Sequence, residues 1–288
     1  MTFMSIFSYL KDSFARKKAR RVFQNFGYRI DNFQLEKEGK VEYANWLNPL
    51  LEPKKITQTE VDFFKSVIRK NSLVIDIGAN TGDLTVPIAI ATGKEGLVLA
   101  VDPNTQVFAI LTANATLNRD KTNIVPLQFA ATATDGEFYF ASSEATFSNG
   151  GLVDKMDDAA HGKFKLKEKV KGVNLDAFLR TNYPEWIPRI SFIKVDTEGN
   201  DLNVLKTIES IITEYKPSVV AEVYPTLTKR ERDDMFHFFS EKGYAIYDLS
   251  HFDLMGGVKR VLLHTEDEMA APGTASNILA IAQPVPFI

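Results

Sequence analysis

Leu73-Val74-Ile75-Asp76-Ile77-Gly78-Ala79-Asn80-Thr81-Gly82 is the stretch on which the fold turns. Five apolar-rich residues with β-branched side chains form a buried strand. The strand stops at an acidic residue and enters a glycine turn, and a helical pattern, Leu84 to Ala91, follows at once. This is how an α/β domain presents a nucleotide-like ligand to the end of its first strand. The spacing narrows the ligand. A dinucleotide fingerprint needs G-x-G-x-x-G, and here the middle glycine is missing between Gly78 and Gly82. A phosphate-binding loop needs Lys and Ser or Thr after its last glycine, whereas Gly82 is followed by Asp83-Leu84. The pattern D-x-G-x-N-x-G suits a ligand without phosphate and with positive charge. S-adenosylmethionine, with its sulfonium and ammonium groups, has that character. Gly78, Ala79, Asn80, Thr81 and Gly82 would then admit its methionine tail, and Asp76 would favour its cationic groups.

A second strand, Leu97 to Val101, ends in Asp102-Pro103-Asn104. A carboxylate at that tip is placed to accept hydrogen bonds from ribose hydroxyls. It also serves NAD enzymes, and it could equally cap the next helix.

With these two blocks in place, the chain resembles the FkbM-type methyltransferases. Asp76 to Gly82 is similar to the family's first motif. Val101-Asp102-Pro103-Asn104 occupies the second, with Asp where Glu-Pro is usual. Leu111, Asn114, Leu117 and Asn118 match an L-x-x-N-x-x-L-N helix. Ala130-Ala131 and Asp135-Gly136 match the segment after the next strand, and Val173-Asn174-Leu175-Asp176 the "t-L-D" element. Ile193-Lys194-Val195-Asp196-Thr197-Glu198-Gly199-Asn200-Asp201 is close to K-x-D-x-E-G-x-E, ending in Asp; Lys216-Pro217 and Glu222 match the last strand. The resemblance implies a class I, Rossmann-like fold: a doubly wound, mostly parallel seven-stranded sheet with an antiparallel last strand. It also implies adenosylmethionine as cofactor, with Pro103, Ala130 and Ala131 joining its site, and a sugar hydroxyl as the acceptor.

Composition agrees with one such domain. The chain has 288 residues, 44% hydrophobic and 25% charged, and a net charge of −3. That length can bury a sizeable core, and no overall basicity points to nucleic acid. There is no cysteine, which removes disulfides, thiolate metal sites and cysteine nucleophiles. No apolar run approaches a membrane span, and a cytoplasmic location is the default expectation.

Strands are expected near 73–77, 97–101, 124–129, 136–140, 190–195, 218–223, 244–248 and 277–282. Helices are expected near 56–70, 84–91, 105–118, 174–181, 201–214 and 228–242. Such alternation predicts a parallel sheet covered on both faces. Residues 56–288 would form the catalytic domain, and 1–55 an N-terminal helical extension. Within it, Ser5 to Phe26 carries Ile6, Phe7, Leu10, Phe14 and Val22 at helical spacing. Arg16, Lys17, Lys18, Arg20 and Arg21 sit among them. Two readings stand: a peripheral membrane or acidic-partner helix, or a helix packed on the domain with a solvated basic face. Residues 142–171 are too long for a plain connection. They are expected to form an acceptor lid, with Asn149, Gly150 and Gly151 near the cofactor; a surface excursion is the alternative.

The chemistry is expected where Asp196 and Glu198 leave the strand ending at Val195. Methyl transfer from a sulfonium is an in-line displacement, so alignment supplies much of the acceleration, and a hydroxyl acceptor needs a base. Asp196, Glu198, Glu222 and His251 are the candidates. Asp196 and Glu222 could also hold a divalent cation, without a clear third ligand. The reading is an adenosylmethionine-dependent O-methyltransferase acting on a small-molecule or glycan acceptor. An NAD-dependent oxidoreductase, or an inactive methyltransferase fold used as a binding module, are the alternatives.

Overall fold

The computed structural model describes residues 12–153, 155, 161–249 and 259–282. Its centre is an eight-stranded sheet built on three fully buried strands. These are β3 (Leu73–Ile77), β4 (Leu97–Val101) and β11 (Ile190–Val195). They run parallel and read as nearly unbroken apolar stretches because helices cover both faces. β5 (Ile124–Leu127) lies outside β4, and β12 (Ser218–Val223) outside β11, both parallel. β15 (Ser276–Ala282) then inserts antiparallel between β12 and β13 (Tyr244–Asp248). The order β5-β4-β3-β11-β12-β15-β13 is the expected doubly wound sheet with its antiparallel last strand. An eighth strand, β14 (Val261–Leu263), extends the edge beyond β13; its three residues are too few for a periodicity to announce.

Strand parity assigns the layers. Leu73, Ile75 and Ile77, with Leu99, Ile193 and Val219, face α5 (Leu175–Asn182), α6 (Asp201–Thr207), α7 (Glu209–Tyr215) and α8 (Lys229–Ser240). Val74, Val98, Phe192 and Val220 face α2 (Gln58–Lys65) and α3 (Thr85–Thr92). α4 (Thr105–Thr116) packs on the same side through Leu111 against Ala79 and Ala100. The helix expected over 201–214 is two helices, parted at Ile208.

Two regions depart from expectation. Among the described residues, 12–55 are not helical throughout. Only a short helix, α1 (12–19), is described, followed by an antiparallel hairpin, β1 (Tyr28–Leu35) and β2 (Gly39–Trp46). The hairpin buries Val41 and Tyr43 against Val86 and Ile90, and Trp46 against Val107 and Ile110. α1 does not pack its length on the domain: Ala19 is its one buried residue, and Phe14 is 72% exposed. The described part of 142–171, expected as a lid loop, instead contributes strands to a second sheet that begins at Ala130 and ends at Asn174. β6 (Ala130–Thr132), β10 (Val170–Asn174), β7 (Gly136–Ser142) and β8 (Gly151–Val153) lie side by side, and β9 (Phe164–Lys165) pairs with β7. The strand expected at 136–140 therefore belongs to this sheet, not to the main one.

Candidate functional site

In a doubly wound sheet the ligand crevice lies where the strand order reverses, outside the carboxyl ends of the strands. Here that point is between β3 and β11, and a cleft of about 1040 Å³ opens over it. Gly78 and Asp196 form its floor. Gly78 has φ +73°, and a Cβ there would lie 1.8 Å from the Asp196 carbonyl oxygen. The two strand ends can meet only because residue 78 has no side chain.

The turn is then locked by hydrogen bonds. The Gly78 and Ala79 N–H groups donate to the Val101 carbonyl (2.9 and 3.1 Å). The Asn80 N–H donates to one Asp102 oxygen and the Asn104 N–H to the other, each at 2.8 Å. Asp102 is 6% exposed. Burial pushes its carboxyl up to about 6, against those two hydrogen bonds. Asn104 also caps α4, its side chain accepting from the Gln106 N–H, so carboxylate and cap are neighbouring residues rather than competing roles for Asp102.

Asp76 lies elsewhere than expected. Its parity matches Val74, so it points into the layer of α3, fully buried. It accepts from the Thr85 hydroxyl (2.6 Å) and faces Lys194, its direct cross-strand partner on β11, at 3.4 Å. The Lys194 ammonium donates to the Gly78 carbonyl (2.7 Å) and lies 3.4 Å from Asp196. Burial pulls the Lys194 pKa down, but the carboxylates of Asp76 and Asp196 outweigh this and hold it charged. Burial raises the Asp76 pKa, and Lys194 opposes that. Asp76 thus braces the turn from beneath. Ala79, Thr81 and Gly82 are likewise buried behind the cleft wall: Thr81 meets the Tyr43 hydroxyl (2.9 Å), and its carbonyl accepts from Asn114 (2.8 Å). Of the residues expected to hold the cofactor, Gly78, Asn80, Asp102, Pro103, Ala130, Ala131 and Asp196 line the cleft. Lys194, which the motif contained but which was given no role, lines it too.

The opposite wall carries the acids. The turn after β11 brings Glu198 to the cleft with φ +58°, a conformation costly for a residue with a side chain. Burial, then the charge of Asp196, raise its pKa. Tyr224, which the sequence reading missed, borders it and lines the same wall. Asp201, 1% exposed, ties the turn to β12: it accepts from the Thr197 N–H and hydroxyl (3.3 and 3.1 Å) and from the Glu222 N–H (3.3 Å). Glu222 is not part of the cleft lining. Its Oε2 is buried with no hydrogen-bond partner. Burial, then Asp196 and the other acids, push its carboxyl up to about 9. It is a proton-bearing group behind the wall. His251 lies outside the described residues. Among the described residues no group of three or more His, Asp or Glu is placed to hold a metal ion, so Asp196 and Glu222 find no third ligand there.

Asn149, Gly150 and Gly151 line the cleft. The loop before them is fixed to the turns: Asn104 Nδ2 donates to the Phe147 carbonyl (2.6 Å) and Asn80 Nδ2 to that of Ser148 (3.1 Å). Gly150, at φ +140°, has no room for a Cβ beside the Ala141 carbonyl.

A family model, the methyltransferase FkbM domain, matches residues 76–246, well over half of the chain. The chain belongs to the FkbM methyltransferase family. Its matched span runs from Asp76 in β3 into β13, short of β14 and β15, and it is a methyltransferase of the class I fold. This FkbM methyltransferase is 26% identical over 174 residues to methyltransferase sdnD of Sordaria araneosa, covering 54% of this chain and 67% of that one. It is 23% identical over 188 residues to the hexuronic acid methyltransferase AglP of Haloferax volcanii, covering 58% and 70%. It is also similar to a solved FkbM methyltransferase from Methylobacillus flagellatus KT, with 15% identity and a TM-score of 0.43. That match covers 76% of this chain and half of the other. The strand order itself, rather than so low a score, establishes the fold.

Proposed function

We propose that this FkbM methyltransferase moves a methyl group from S-adenosylmethionine to a neutral hydroxyl of a sugar or glycosylated small molecule. The observation that carries this reading is the pair of cleft walls. One bears Asp102 with both oxygens oriented by backbone N–H groups, and the other bears Asp196 and Glu198. The cofactor fits this donor set. Asp102 suits ribose hydroxyls, the Gly78–Asn80 backbone suits the methionine tail, and Asp196 suits a cationic sulfonium. When bound, adenosylmethionine supplies an electrophilic methyl group.

The chain's own residues do the rest. The walls hold the acceptor in line with the methyl group. On the wall after β11, Asp196 and Glu198 are the carboxylates that would take the hydroxyl proton, and the raised pKa of Glu198 brings it nearer the range of an effective base. Lys194 keeps Asp196 and the turn of Gly78 in register. Gathered carboxylates favour a neutral acceptor over an anionic one. A uronate, the acceptor class in the name of the Haloferax relative, would meet like charge here.

Two measurements test this. Calorimetry should show adenosylmethionine binding and no NAD binding; the reverse would return the chain to the oxidoreductase reading, and no binding of either to the inactive module. With labelled methyl donor, a neutral glycoside should be methylated faster than the matching glucuronide, and Asp196→Asn should lose turnover. Preference for the glucuronide would overturn the neutral-acceptor reading.

A further inference from the structure

From Ser13 to Ile30 the chain carries six Lys or Arg residues and no Asp or Glu, although the whole chain has a net charge of −3. Five of the six, Arg16, Lys17, Lys18, Arg20 and Arg21, fall within six positions and all are exposed. Exposed apolar side chains lie among them: Phe14 at 72%, Val22 at 50% and Phe23 at 50%, with Tyr28 and Ile30 on the adjoining hairpin at 48% and 45%. Water is a poor partner for so many large apolar groups in one short segment. Isolated cations need no explanation, but cations interleaved with exposed aromatic and branched side chains do.

The segment is also tied to the domain at several points. Ala19 is buried. The Arg20 carbonyl accepts from the Ala145 N–H (3.2 Å), and the Phe26 carbonyl from the Trp46 indole (3.1 Å). The Phe23 ring meets Phe147 edge-on at 6.4 Å. Ala19 and these contacts thus tie the segment to the domain, while its cations and Phe14, Val22 and half of Phe23 stay exposed.

We infer that residues 14–30 form a docking face for an anionic lipid surface. Cations pair with the headgroups, and Phe14, Val22 and Phe23 enter the boundary between headgroups and acyl chains. An acidic protein groove or a nucleic acid would satisfy the charges without requiring that apolar display. No described helix is long and apolar enough to cross a membrane. The inference does not rest on the methyl acceptor or on the cofactor.

The test is co-sedimentation of the full chain with vesicles of phosphatidylcholine alone and of phosphatidylcholine mixed with phosphatidylglycerol. Binding is expected to the mixed vesicles only, and to weaken steeply as NaCl is raised, because exposed charges are screened. The triple variant Lys17→Gln, Lys18→Gln, Arg21→Gln should bind about a hundredfold more weakly. Phe14→Ser should weaken binding without changing the salt dependence. The salt series on the unaltered protein decides the matter even if a variant misfolds. Equal recovery with both vesicle types, binding indifferent to salt, or capture by a single-stranded oligonucleotide with none by vesicles would each overturn the inference.

Discussion

Gly78 and Lys194 carry the geometry of the site at the level of single atoms. Gly78→Ala would place a methyl group 1.8 Å from a backbone oxygen that cannot rotate away. It would also put a side chain at positive φ, which alone costs about 1–3 kcal/mol. The turn must then leave β11. The expected result is a folded but destabilised protein with adenosylmethionine affinity lost in calorimetry; wild-type affinity would show that the close approach does not matter. Lys194→Met strands the buried Asp76 without its cation and should cost about 3–5 kcal/mol in denaturant unfolding. Adding Asp76→Asn removes the orphaned charge and should recover much of that loss. Additive losses in the two single variants would refute the pairing. The sequence located this motif but misread the direction of Asp76. Parity held the clue: Asp76 alternates with Ile75 and Ile77, which face the α5–α8 layer, so it had to face α3 with Val74. Lys194 was legible by the same count, as the residue in register with it.

The helix α4 shows how one element can close another. Asn114 accepts from the Ala44 N–H (2.7 Å) and donates to the Ala44 carbonyl (3.2 Å). Asn118 does the same for Glu42, at 2.8 Å each. Two asparagine side chains thus pair with alternate residues of β2 as a neighbouring strand would. They satisfy backbone groups that an open edge would leave unpaired. Asn114 also donates to Thr81 in the glycine turn. Asn114→Ala should therefore cost about 1–3 kcal/mol and weaken cofactor binding as well. A Tm unchanged within error would remove the clamp from the account. This explains why the Asn114 and Asn118 pattern was recognisable while its partner was not. The buried parallel strands β3, β4 and β11 were legible to the residue, because burial on both faces leaves an apolar run with sharp ends. β1 is mostly exposed, so its alternation of Tyr28, Ile30 and polar residues carries little apolar contrast. The strands β8 and β9 have three and two residues, too short for any period.

Across the whole molecule, the buried acids set how stability follows pH. Burial raises Glu222 from an ordinary 4.5 to about 9, and Asp102 and Asp201 from 3.8 to about 6. Between those ordinary values and the raised ones, the folded chain holds protons that the unfolded chain has released. Stability therefore falls as pH rises through that window. Asp31, held low by Arg29, and Asp62, held low by Lys37, act in the opposite sense. Their contribution is present above 3.8 and is lost on further acidification, but both ion pairs are largely solvent-exposed, so the effect is small. The Tm should accordingly be highest in mild acid and decline toward pH 9. Well above pH 6, where Asp102 and Asp201 have ionised, the remaining slope belongs chiefly to Glu222. Glu222→Gln keeps the shape of the protonated acid and cannot ionise. It should match the wild type near pH 5, flatten the decline above pH 6, and melt higher than the wild type at pH 9. Parallel melting curves for the two proteins across pH 5–9 would mean that Glu222 is ionised in the fold, and that the acids behind the cleft wall do not share the repulsion assigned to them.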